Sequence, residues 1–191
     1  MTDKIAPANR RSVGPFDSSE VELPANYLDF GAIRFVPEPS VAIRLEVEES
    51  TGKVVALTLE TEGSILQVSV FAASKNEGIW GDVLAQLKES ISASGGSVTE
   101  YLGQLGPGLD AMVLQQNGTT RATRFLGVDG PRWFMRGSVT GAALNDIALA
   151  TRIEDLFRSL VVHRGEAPLP PREPLEIQVP PGIITPPRPG L

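Results

Sequence analysis

The chain has no cysteine in 191 residues, which excludes disulfides, zinc–thiolate sites, thiol nucleophiles and iron–sulfur clusters. It has one histidine, His163, so a metal site would have to be built from carboxylates. No apolar run approaches the ~20 residues that a membrane helix needs. Met1 to Pro15 is polar, with Lys4, Arg10 and Arg11 where a signal peptide would carry its hydrophobic stretch. Bases are outnumbered, 17 against 23 acids for a net charge of −6, which disfavours whole-surface nucleic-acid binding. There is no Gly-x-Ser-x-Gly elbow and no Gly-Lys-Ser/Thr phosphate loop. A soluble cytoplasmic protein is expected, with no membrane, metal or cofactor.

What the chain does have is enough apolar residue, 41%, for one core. At ~100–200 residues per domain, this length reads as a single domain with tails. Nine of the 16 prolines follow Arg164, and proline fixes φ and lacks an amide donor, so that stretch is extended. The expected organisation is a flexible arm over 1–26, an α+β domain over 27–164 and a Pro-rich tail over 165–191. Apolar and polar residues alternate from Leu175 to Val179, so the tail should lie on the domain as a strap to about 179 and be disordered beyond. Pro168 to Pro171 and Pro171 to Pro174 also match the Pro-x-x-Pro spacing that docks aromatic grooves, although any Pro-rich linker produces it readily.

Between the tails the apolar period changes from two to about 3.6 and back. Val41, Ile43, Leu45 and Val47 alternate, as do Val55, Leu57 and Leu59. A three-residue loop over Ser50-Thr51-Gly52, with Gly52 left-handed, would pair Val47 with Val55, Leu45 with Leu57 and Ile43 with Leu59. Ile65 to Phe71 is a third strand. Ser74 with Glu77 reads as a capping box for a helix whose stripe is Trp80, Val83, Leu84, Leu87 and Ile91. Strands are expected over 97–104, 109–116, 122–128 and 132–139, turning at Asn117-Gly118 and Asp129-Gly130. A last helix carries Thr151 with Glu154 as a second capping box and Ile153, Leu156, Phe157 and Leu160 as its stripe. This order predicts an antiparallel sheet with two main helices packed on it.

No residue set assembles a catalytic site. His163 lacks a neighbouring nucleophile and orienting carboxylate, and reads as a boundary histidine. Glu46 and Glu48 share a strand face where a hard cation could sit, but a solvated face with a cross-strand Glu49–Lys53 pair explains them more simply. Gly103 to Gly108 contains Pro107 and opens no helix, so it reads as a turn. The best candidate surface is Arg121 to Arg136. With Asp129-Gly130 as a two-residue loop, Arg121, Thr123, Phe125, Arg132, Phe134 and Arg136 share one face, while Ala122, Arg124, Leu126, Trp133, Met135 and Val139 face the core. Arginines among phenylalanines can grip an anionic ligand or stack bases. They can equally lie over buried rings and pair with the stretch from Glu20 to Glu62, which holds nine acids and three bases.

Several strings carry a resemblance: Gly14-Pro-Phe-Asp17, Leu28-Asp-Phe-Gly31, Leu45-Glu-Val-Glu48, Gly78-Ile-Trp80, Gly127 to Arg136, Val162-His-Arg-Gly165 and Pro171-Arg-Glu-Pro174. Over about residues 14–180 they resemble the actinobacterial "thirty-seven-ten" domain of unknown function. That resemblance implies a cytoplasmic protein without an established activity and transfers no catalytic or binding residue. The element order is also similar to the Mog1/PsbP-like fold, whose members are often accessory or binding proteins. The expectation is therefore a non-enzymatic accessory module whose partner is another protein. The alternative is a module binding an anionic small molecule or nucleic acid through Arg121, Phe125, Arg132, Phe134 and Arg136.

Overall fold

Three very short strands precede the long ones. In the computed structural model, which describes residues 2–181, α1 (Arg10–Val13) leads into β1 (Phe16–Asp17), β2 (Leu28–Asp29) and β3 (Ile33–Phe35). β4 (Ala42–Val47), β5 (Val54–Thr61) and β6 (Ser64–Ala72) follow, then α2 (Trp80–Ala93). β7 (Ser97–Gly103), β8 (Gly106–Leu114), β9 (Thr120–Asp129) and β10 (Trp133–Gly141) come next. A 3-10 turn at Ala142–Leu144, α3 (Ile147–Ser159) and β11 (Val161–Val162) complete the order.

The long strands form one antiparallel sheet ordered β4-β5-β6-β10-β9-β8-β7. This is the α+β architecture that the alternation predicts. The short strands add a second sheet, β1-β11-β3-β2, in which β1 and β11 run parallel. Strands of two or three residues leave no periodicity to read, so this sheet was not foreseen.

Each face of the large sheet receives one helix. Leu57, Leu59, Leu66, Val68, Leu126, Val128, Met135 and Val139 share a face and are buried with Ile153, Leu156 and Phe157 of α3. On the opposite face α2 crosses β7, β8 and β9, and Trp80 lies directly on Gly127. A Cβ on Gly127 would stand 2.4 Å from the Trp80 ring, so that approach requires glycine.

Two hairpins differ from expectation in their loops but not in their faces. Ile43–Leu59 and Leu45–Leu57 pair as predicted, whereas Val47 meets Val54 and the register shifts by one between Glu46 and Val47. The amide of Glu48 bonds Lys53 O at 2.8 Å, so four residues form the loop and exposed Val55 bulges to restore the apolar register. In the β9–β10 hairpin Phe134 faces Asp129, and Gly130 N bonds Trp133 O at 2.8 Å. The turn is thus centred on Pro131-Arg132, where proline's fixed φ suits the second turn position. The shift is an even number of residues and leaves every side chain on its foreseen face.

Both capping boxes are also relocated. Ser74 Oγ accepts the Glu77 amide at 2.9 Å, but α2 begins only at Trp80. α3 begins at Ile147 and is capped by Asp146, which accepts Ala148 N at 2.8 Å and Leu149 N at 3.1 Å. Thr151 lies inside that helix and bonds back to Ile147 O.

Polar, Pro-containing composition suggested a flexible arm at 1–26, yet specific partners tie it down. Gly78 N bonds Thr2 O at 2.7 Å, and Ile5 pairs with Asp129 through both backbone groups of Ile5. Arg10 forms a two-pronged ion pair with Glu20, at 2.8 and 2.6 Å, beneath the domain surface. That guanidinium holds the Glu20 carboxyl below its ordinary pKa, against the opposing effect of burial. The tail takes the place of β5 beside the end of β6: Ala72 N bonds Glu173 O, and Leu175 N bonds Val70 O. Ile177 then bridges Val54 to Gly31, and Leu175 and Ile177 are buried. Residues 182–191, where disorder was expected, lie outside the described residues.

The completely buried Trp80 ring, whose Nε1–H donates to Pro107 O at 2.8 Å, anchors α2 to the sheet. Trp80→Ala is expected to destabilise the protein by ~3–5 kcal/mol in chemical denaturation; an unchanged midpoint would mean that α2 does not depend on this ring.

Candidate functional site

Helix α2 is positioned by a carboxylate from another part of the chain. Its N-cap residue is Ile79, which has no capping side chain, so the first amides need an outside acceptor. Asp129, at the end of β9, supplies it: Oδ1 accepts Ile79 N at 2.9 Å and Trp80 N at 3.3 Å, while Oδ2 accepts Ile5 N at 3.0 Å. An anion at a helix N-terminus also complements the helix dipole. Asp129 is buried, so these bonds are shielded from competing water.

A helix held at that end leaves a groove along its flank. Ile79, Val83 and Leu87 of α2 form one wall, Phe71 and Phe134 form the floor, and Gln86 and Ser90 line the upper edge. The cavity measures about 310 Å³. Phe134 stacks between Trp80 and Phe71, with ring centroids 5.7 and 5.8 Å away. Beyond the groove, on the same face of β10 and β6, lie half-buried Ser138 and Ser69 and exposed Gln67.

Two arginines border the groove in different states. Arg172 pairs with Asp82 of α2 at 2.9 Å and sits at φ +71°, a left-handed conformation rare for a non-glycine residue. Bonds from Arg172 N to Ala72 O and from Leu175 N to Val70 O hold it there. Arg136 lies over the Phe71 ring at 5.7 Å, half-buried, and among the described residues it has neither ion pair nor hydrogen bond. Burial without a counter-ion pulls its pKa below the ordinary guanidinium value.

The candidate residues from the sequence are therefore only partly brought together. Phe134 and Arg136 line the groove, and Phe125 packs half-buried against the same cluster. Arg132 is exposed in the β9–β10 turn. Arg121 is exposed towards the other end of the sheet, where its guanidinium donates to Thr140 Oγ1 at 3.3 Å. Phe134 is nearly fully buried, stacked between Trp80 and Phe71, whereas Phe125 is half-buried. Among the described residues, Arg121, Arg132 and Arg136 form no ion pairs with the Glu20–Glu62 stretch. Glu20, Asp29, Glu38 and Glu60 pair instead with Arg10, Arg34, Arg152 and Arg44. Phe71, Val83, Leu87 and Arg172 were missed as site residues. The helix stripe named Val83 and Leu87, but period alone cannot separate the centre of a buried face from its half-exposed margin.

A second cavity, of about 290 Å³, opens beside α3 and is lined by a polar network. Arg124, buried as foreseen, pairs with Asp110 at 2.6 and 2.9 Å and lies 3.7 Å over the Tyr101 ring. Tyr101 donates its hydroxyl to Glu154 at 2.6 Å, and Gln104 N donates to the other Glu154 oxygen at 2.9 Å. Burial and the Glu154 carboxylate push the Tyr101 pKa up to about 12, so its phenol remains a donor. Every member of this network is engaged, and it ties the β7–β8 hairpin to α3. His163, by contrast, lies at the surface with Ser18 Oγ 3.1 Å from its Nδ1.

An unpaired, half-buried charge costs stability that its contact with Phe71 only partly returns. Arg136→Met keeps the apolar stem and removes the charge, and thermal unfolding should show Tm raised by ~2–4 °C; a fall would show that Arg136 has a stabilising partner.

Comparison with known proteins adds one relationship. No curated protein and no solved structure matches the chain. A family model described as "Protein of unknown function (DUF3710)" matches residues 14–185, which include both sheets, both long helices and the groove. The chain belongs to the DUF3710 family.

Proposed function

We propose that this protein is a non-enzymatic cytoplasmic binding module that acts through contacts with another protein, and that the groove beside α2 is where the partner docks. The observation that carries the reading is the groove's composition: an apolar floor and wall on the surface, bordered by Arg136, a cation with no counter-charge among the described residues. Such a surface is more useful covered than bare. The engagement of the buried acids supports the non-enzymatic part. Both oxygens of Asp129, Glu154 and Glu20 already accept structural hydrogen bonds, so none is poised as a free base. The element order is similar to the Mog1/PsbP-like fold, whose members are often accessory or binding proteins. This analogy agrees with the reading but does not determine it.

A photoreactive phenylalanine analogue at Gln86, on the groove's edge, is expected to give one discrete protein adduct in the protein's own cells. The same analogue at Thr151 on α3, on the opposite face, should give none. Adducts that are equal at both positions, or absent at Gln86, would contradict the proposal.

A further inference from the structure

We infer that the groove recognises a polypeptide segment carrying a large apolar side chain within one or two residues of a carboxylate, the carboxylate pairing with Arg136. The inference rests on the binding-module reading above and names the chemistry that the partner must present.

Three features select this chemistry. The groove is compact: the whole cavity, floored by Phe71 and Phe134 and walled by Ile79, Val83 and Leu87 with polar residues at its edges, measures about 310 Å³, at the small end of ligand sites. That space takes one bulky side chain, an anchor of the kind that dominates interface energetics. The charge at its border is positive and asymmetric. Arg172 is already neutralised by Asp82, whereas Arg136 has no acceptor among the described residues and its guanidinium rests on Phe71. The anionic group therefore belongs at Arg136, on the sheet side of the anchor. A planar guanidinium favours a carboxylate there, because two parallel N–H donors match two oxygens.

The third feature decides for a polypeptide over a small molecule. Ile79, Val83 and Leu87 of α2 wall the groove on one side and Arg172 borders it; across β10 and β6 the same sheet face continues over half-buried Ser69 and Ser138 and exposed Gln67, none of which lines the cavity. A small ligand would be enclosed on one side and left wet on the other, whereas sites for such ligands bury most of the ligand surface. A chain segment can seat one side chain in the apolar floor and run on across the bare polar strands. Gln67 and Ser138, 3.5 Å apart through Oε1 and Oγ, present side-chain donors and acceptors along that path.

The pairing also settles what the free protein leaves unsatisfied. A carboxylate brought to Arg136 gains a charge-assisted bond in a place already partly shielded from water, where such bonds are stronger than on an open surface.

The test is selection from a displayed library of random twelve-residue peptides on the full chain. The expected outcome is enrichment of peptides with Asp or Glu one or two residues from Phe, Trp, Leu or Met. Their affinity should fall at least tenfold on Arg136→Gln, and at least tenfold when the acid is made an amide in the peptide. Amide resonances of Phe71, Val83 and Leu87 should shift on titration with the selected peptide. The inference is overturned if nothing is enriched, if enriched peptides lack the acid, or if they bind the Arg136→Gln variant equally well. A Gln86 adduct with a protein whose contacting segment has no acid would also overturn it while leaving the binding-module reading intact. Enrichment of acidic peptides without any adduct in cells would instead remove the module reading.

Discussion

One buried carboxylate sets the geometry of this protein. Asp129 ends β9, yet its oxygens serve the first amides of α2 and the amide of Ile5. Two chain segments far from it in sequence thus share one acceptor. Without it, the start of α2 would carry unsatisfied buried donors, each costing ~1–3 kcal/mol. Because Asp129 is in the ladder opposite Phe134, the same bonds that cap the helix set its height over the sheet. The groove between α2 and the strands follows from that height.

The acids of this chain repeatedly do this kind of work. Glu154 receives Tyr101 and Gln104 across the β7–β8 turn, Glu20 receives Arg10, and Asp17 receives the Trp133 indole N–H at 2.9 Å. Each bond joins parts distant in sequence or pins a terminal segment, and each leaves a polar group satisfied rather than orphaned. Against this background Arg136 stands out. Among the described residues it is a half-buried cation with no ion pair or hydrogen bond, in a chain whose net charge is −6.

Much of the fold was legible because alternation and helical period report on side-chain faces. Ile43, Leu45, Leu57 and Leu59 fell on one side whatever the loop length, since Val55 bulges to keep them there. The core faces of β9 and β10 were likewise read correctly from the wrong turn, because the error was even. Where a local signal had a distant competitor, reading from sequence failed. Ser74-x-x-Glu77 has the form of a capping box, but the true cap arrives from residue 129 through tertiary contact. Thr151 and Glu154 repeat the form inside a helix that Asp146 already starts. The candidate face was half legible: Phe134 and Arg136 could be placed together on a strand. That α2 would lie over one, and leave the other at a groove, depends on packing that no local pattern encodes.

The dependence of this architecture on Asp129 is best tested by amide hydrogen exchange, measured by NMR on the Asp129→Ala protein. The account predicts that Ile5, Ile79 and Trp80 lose protection together, by a similar factor, while the amides of β5 and β6 keep theirs. Wild-type protection at Ile79 and Trp80 would contradict it, as would a loss confined to Ile5. In either case α2, and the groove beside it, would be held by something other than this carboxylate.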